Sequence, residues 1–82
     1  MQVIVTPKAQ KHYENLSENE QKKIKKKLGV LQNNPLAGKK LAGIFAEQRV
    51  VRAWPYRITY YISGTENKLY ITAIQHRQGA YK

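Results

Sequence analysis

Apolar and polar positions divide the chain into a short strand, two helices and a β-rich second half. Val3, Ile4 and Val5 form a β-branched run that Thr6-Pro7 closes, with Thr6 as helix N-cap and Pro7 at the first helical position. Ala9, Tyr13 and Leu16 then recur at helical spacing, which predicts a helix of about ten residues lying on the core, with His12 beside it as a structural histidine. Ser17-Glu18-Asn19-Glu20 has the Ser-x-x-Glu spacing in which side chains satisfy the first free amides of a helix, so a second helix starts at once. Ile24, Leu28 and Leu31 make its buried stripe. Lys22, Lys23, Lys25, Lys26 and Lys27 spread over the rest of its surface until Asn33-Asn34-Pro35 stops it. Two consecutive helices of this kind form a hairpin.

Residues 34–47 contain Pro35, Gly38 and Gly43 with little periodicity and read as a loop that carries Lys39 and Lys40. Three β-rich runs follow, Gln48 to Ala53, Tyr56 to Ser63 and Lys68 to Gln75, separated by Trp54-Pro55 and by Gly64-Thr65-Glu66-Asn67. They predict an antiparallel meander. In the middle run Ile58, Tyr60 and Ile62 share one face and Arg57, Thr59 and Tyr61 the other, so Arg57 is expected to point away from the helices. Alternation is less decisive in the outer runs. Arg49 and Arg52 fall on opposite faces of an ideal strand, the last run is apolar on both sides, and a bulge would change either assignment. The expected fold class is α+β, in the order β-α-α-β-β-β.

Composition narrows what such a domain does. The 82 residues make one small domain, residues 1–82, without cysteine, which excludes a disulfide framework or thiolate metal site and fits a cytoplasmic setting. The start of the chain lacks the basic and long apolar segments of a signal peptide, and no stretch is long enough to cross a bilayer. Fifteen Lys and Arg against five acids give a net charge of +10. The excess lies after residue 20, where thirteen cations face only Glu47 and Glu66. This charge favours a polyanionic partner over a membrane, since the lysine-rich helix has only a narrow apolar stripe that a small core must use.

Two clusters carry candidate chemistry: Arg52-Ala53-Trp54-Pro55-Tyr56-Arg57 and His76-Arg77-Gln78-Gly79-Ala80-Tyr81. Each combines guanidinium forks, which grip phosphate through paired hydrogen bonds, with aromatic rings on which an unpaired base can stack. With no aspartate and scattered glutamates, the chain offers no converging carboxylates for metal-ion catalysis, and no metal or other cofactor is expected. RNA needs none. Its 2′-hydroxyl can attack the neighbouring phosphate, provided the protein aligns the strand, moves protons and stabilises the charge that develops on the phosphate oxygens.

The element order, the helical hairpin ending in Asn34-Pro35, Lys40-Leu41-Ala42-Gly43, Arg52 with Tyr56-Arg57-Ile58, and the closing His76-Arg77 with Tyr81 together resemble the RelE/ParE family of toxins from toxin-antitoxin pairs. The resemblance spans almost the whole chain. It implies a curved antiparallel sheet packed on the two-helix hairpin. In the RelE-like branch it implies cleavage of messenger RNA on the ribosome, and in the ParE-like branch inhibition of DNA gyrase. A non-catalytic basic RNA-binding module is the third reading. The resemblance also implies an antitoxin that covers the active surface in a hetero-oligomer.

Carried over residue by residue, the resemblance makes Arg57 and Arg77 phosphate clamps, Tyr81 a base-stacking or orienting group and His76 the preferred proton carrier. Arg49, Arg52, Lys39 and Lys40 are expected to bind RNA. The best-known RelE-like enzymes carry lysines on the strand before the Tyr-Arg hairpin, where this chain has Arg49, Val50, Val51 and Arg52. The general base is therefore left open between His76, an arginine, and alignment by the ribosome in place of a base. Structural roles compete at each site: Arg57 as the partner of a glutamate, His76 as a hydrogen-bonded strand-end residue, and Tyr81 as a C-terminal staple. Trp54 is expected to pack in or beside the turn, and Tyr13 and Tyr60 in the core.

Overall fold

The computed structural model describes residues 1–43 and 47–77, so Tyr81 lies outside the described residues. Strand β1 (Gln2–Val5) leads into α1 (Pro7–Glu14) and α2 (Glu18–Asn33), followed by β2 (Lys39–Lys40), β3 (Gln48–Ala53), β4 (Tyr56–Ser63) and β5 (Lys68–His76). The α+β order is the expected one. Both helix starts follow their sequence signals. The Thr6 hydroxyl accepts from the Ala9 amide and donates to the Ile71 carbonyl at 2.7 Å, tying the start of α1 to β5. Ser17 and Glu20 close the capping box of α2 reciprocally.

The five strands lie in the order β1-β5-β4-β3-β2. Three neighbouring pairs are antiparallel, but β1 runs parallel to β5, so the sheet is mixed. The helical hairpin carries the chain from β1 to β2 at the opposite edge, and β3 and β4 then lead back to β5 beside β1. The short β2 sits within the stretch expected to be a loop. Two adjacent lysines show no strand periodicity, and they become a strand only by pairing with Val50 and Arg49 on the edge of β3.

One face of the sheet carries the core. Ile24 and Leu31 of α2 and Ala9 of α1 are buried against Ile58, Tyr60, Leu69, Ile71 and Ile74. Strand β5 supplies both of its apolar parities to this core through a bulge. Thr59 pairs with Ala73 and Tyr60 with Ile71, leaving Thr72 as the extra residue, its hydroxyl donating to the Thr59 carbonyl at 3.2 Å. The bulge reverses the alternation, so Leu69 and Ile71 before it and Ile74 and His76 after it all face the helices. His12 secures the far side by accepting the Ile74 amide at Nδ1, at 3.1 Å, the structural role expected of it.

Candidate nucleic-acid interface

Register separates the candidate site residues into two faces. Arg52 lies opposite Arg57, Val50 opposite Thr59, and Gln75 opposite Arg57 on its other side. Since Ile58 and Tyr60 point into the core, this set stands on the face turned away from the helices, as expected for Arg57. Lys39, paired with Val50, joins the same face from the edge strand.

These residues surround an open groove of roughly 500 Å³, lined by Lys39, Lys40, Arg52 and Arg57 with Leu41 and Val50 between them. No described acidic side chain lines it. Arg52 and Arg57 are directly opposite residues on neighbouring strands, and an anion lying between two such side chains is attracted by both. The groove can therefore hold a phosphate by paired arginines and extend the grip along a backbone through the lysines.

Arg49 does not join it. Its register partner is the buried Tyr60, and its guanidinium donates to the Gly38 carbonyl at 3.1 Å on the helix side. Arg49 and Arg52, both expected to hold flanking phosphates, thus stand on opposite faces of β3, as strand alternation implied. Tyr60 anchors the same junction: its hydroxyl accepts the Gly38 amide at 2.9 Å and donates to the Pro35 carbonyl at 2.8 Å. Gly38 is required there, because a Cβ would stand 2.6 Å from the Tyr60 oxygen and 2.8 Å from the Val50 carbonyl. This junction places Lys39 and Lys40 on the edge of the groove.

His76 is likewise displaced from the face of Arg57. It pairs with Tyr56, and the two rings meet edge-to-face at 5.4 Å on the helix side. The bulge at Thr72 is the cause; uninterrupted alternation would have turned His76 the other way. Tyr56 in turn donates its hydroxyl to Glu20 of α2. That bond, with those from Ser17, holds the Glu20 carboxyl below its ordinary value, and the same carboxylate raises the Tyr56 phenol above its own. Glu20 therefore closes the cap of α2 and positions the start of β4, one residue from Arg57.

Arg77 follows directly. Its amide donates to the Pro55 carbonyl at 2.9 Å, which brings the end of β5 beside the β3–β4 turn, and its guanidinium lies 4.8 Å over the Trp54 ring. Trp54 is not packed away but 61% exposed. Its place in a turn between Arg52 and Arg57 was the signal for more than a packing role. Among the described residues no group of His, Cys or acidic side chains is assembled to hold a metal ion, and no helix is long and apolar enough to cross a membrane.

The family model for the ParE toxin of type II toxin-antitoxin systems matches residues 3–81. The chain belongs to that family. No curated protein sequence matches the toxin. Among solved structures it is similar to a chain of the RelBE2 toxin-antitoxin complex from Mycobacterium tuberculosis, with a TM-score of 0.85 and 26% identity over 93% of this chain and 96% of that one. A YoeB/ParE toxin from Agrobacterium tumefaciens superposes with a TM-score of 0.80 at 21% identity, covering 93% and 98% of the two chains. The isolated RelE toxin of E. coli gives 0.78 at 19% identity, covering 92% and 82%. The last two share the toxin's fold.

Proposed function

We propose that this toxin is a metal-independent endoribonuclease that cuts messenger RNA on the ribosome and so stops translation in the cytoplasm. The observation that supports it is the groove on the outer face, where Arg52 and Arg57 oppose each other beside Lys39 and Lys40. The two arginines grip the scissile phosphate and stabilise the charge that builds on its oxygens during attack by the 2′-hydroxyl. As the attacking oxygen bonds to phosphorus, the 5′-oxygen of the next nucleotide leaves and takes up a proton, and the 2′-hydroxyl proton is released. Arg77 approaches from the end of β5 as a second clamp, and Tyr81 stacks on a neighbouring base. His76 serves by holding Tyr56 rather than by meeting the nucleotide on the face of Arg57. Rate enhancement then comes chiefly from strand alignment and charge stabilisation.

An antitoxin is the second partner in this proposal. The structures to which the toxin is similar include the RelBE2 toxin-antitoxin complex, and a protein of charge +10 attracts an acidic chain able to fold over the groove. Gyrase inhibition is the competing function, favoured by the match to the ParE toxin model.

Both are tested by translating a defined message with purified ribosomes, adding the toxin in the presence of chelator and mapping the RNA ends. Cuts within codons that vanish when the target 2′-hydroxyl is replaced by hydrogen are the expected result. Intact message together with cleaved, gyrase-bound DNA would replace this function with the competing one.

A further inference from the structure

A second groove begins where the first ends. On the α2 side of the β3–β4 turn lies an opening of roughly 320 Å³ lined by Lys23, Lys26, Lys27 and Val30, with Arg52 and Trp54 opposite. The α2 residues recur at helical spacing and so form one face directed at the turn. Arg52 lines both openings, which places them side by side. No described acidic side chain lines either one.

Trp54 has no core to fill here. It stands 61% exposed with the Arg77 guanidinium over its ring, and Val30 beside it is 43% exposed. Large apolar surface left in water among cations marks a binding surface rather than a stabilising contact. An indole stacked with a guanidinium and bordered by lysines matches a nucleotide, whose base has a flat face for the ring and whose phosphates suit the lysines.

We propose that this groove is a second nucleotide subsite, in which an unpaired base stacks on Trp54 while the phosphates beside it lie on Lys23, Lys26 and Lys27. It extends the RNA track proposed above, and so rests on that function. The strand passes from the outer face of the sheet, over Arg52, onto α2. Stacking of this kind tolerates any base, so the subsite adds affinity and direction without a sequence preference.

Trp54 is the only tryptophan in the chain, and its emission reports directly on the subsite. A short single-stranded RNA with every 2′-hydroxyl methylated, so that it cannot be cut, is titrated into the toxin. Binding is followed by anisotropy of a labelled strand and stacking by Trp54 emission with an unlabelled one. Saturable quenching in step with binding is expected. Trp54→Ala should weaken binding roughly five- to a hundredfold while Trp54→Phe keeps most of it. Replacing Lys23, Lys26 and Lys27 together by Gln should reduce the slope of log affinity against log salt by about two. Circular dichroism checks that each variant is folded.

Binding with unchanged emission, and equal affinity of Trp54→Ala, would overturn the subsite and leave the RNA function standing. Absence of any binding would overturn the subsite, while cutting in the ribosomal assay decides the RNA function separately. Quenching by polyglutamate but not by RNA would make the groove a docking site for an acidic protein segment instead.

Discussion

Tyr60 shows how one side chain can hold both the core and the edge of the site. Its ring is fully buried, while its hydroxyl bridges the Gly38 amide and the Pro35 carbonyl. Strand alternation made the ring legible as core, but the two backbone partners lie more than twenty positions upstream in a stretch without periodicity. No local pattern announces such a contact. Removing the hydroxyl strands two polar groups, so Tyr60→Phe should destabilise the fold by about 1–3 kcal/mol in urea unfolding. Gly38→Ala should cost at least as much, because its Cβ would overlap the Tyr60 oxygen and the Val50 carbonyl, both set by packed elements. A fully stable Gly38→Ala protein would mean that β2 is not held as described. The arginines divide on the same principle. Alternation placed Arg57 correctly and set Arg49 and Arg52 on opposite faces, and the contact with Gly38 decides which of those two is diverted.

At the scale of elements, the strong signals were those with a local cause. Thr6-Pro7, the Ser17–Glu20 box, Asn34-Pro35 and the two turn sequences fix their boundaries through backbone chemistry within a few residues. What depended on distant pairing was not legible: the parallel alignment of β1, the two-residue β2 and the bulge at Thr72. The bulge mattered most for the candidate site, since it set His76 on the face opposite Arg57. The bond between Glu20 and Tyr56, which joins α2 to β4, makes a prediction at this scale. Glu20 is held below its ordinary value of 4.5, so its contribution to stability is complete above that value and is lost as pH falls through the lowered one. Tyr56 is raised above 10.0; its contribution is present below that value and is lost as alkali drives pH through the raised one. The stability difference between the native chain and Tyr56→Phe should therefore be largest near neutrality and shrink in strong acid and strong alkali. A difference that is constant from neutral to strongly acidic solution would remove the bond from the account.

For the whole molecule, charge and topology act together. The helical hairpin covers one face of the sheet and buries the apolar stripe, which leaves the other face to carry Arg52, Arg57 and Lys39. Net charge and element order were readable from composition and punctuation, and the order together with the Arg52, Tyr56-Arg57-Ile58 and His76-Arg77 motifs pointed to the family. Which of Arg49 and Arg52 shares the face of Arg57 was not readable, because it depends on register. The central claim is that the outer face of the sheet, not its helix-side face, grips the scissile phosphate. The most direct measurement compares ribosome-dependent cutting by Arg52→Ala, Arg57→Ala and Arg49→Ala proteins, each shown to be folded. Loss of one phosphate clamp should lower the cleavage rate on the order of a hundredfold or more for the first two. Arg49→Ala should cut at nearly the native rate while unfolding at lower urea. Equal cutting by all three, or loss of cutting confined to Arg49→Ala, would contradict the assignment of the groove.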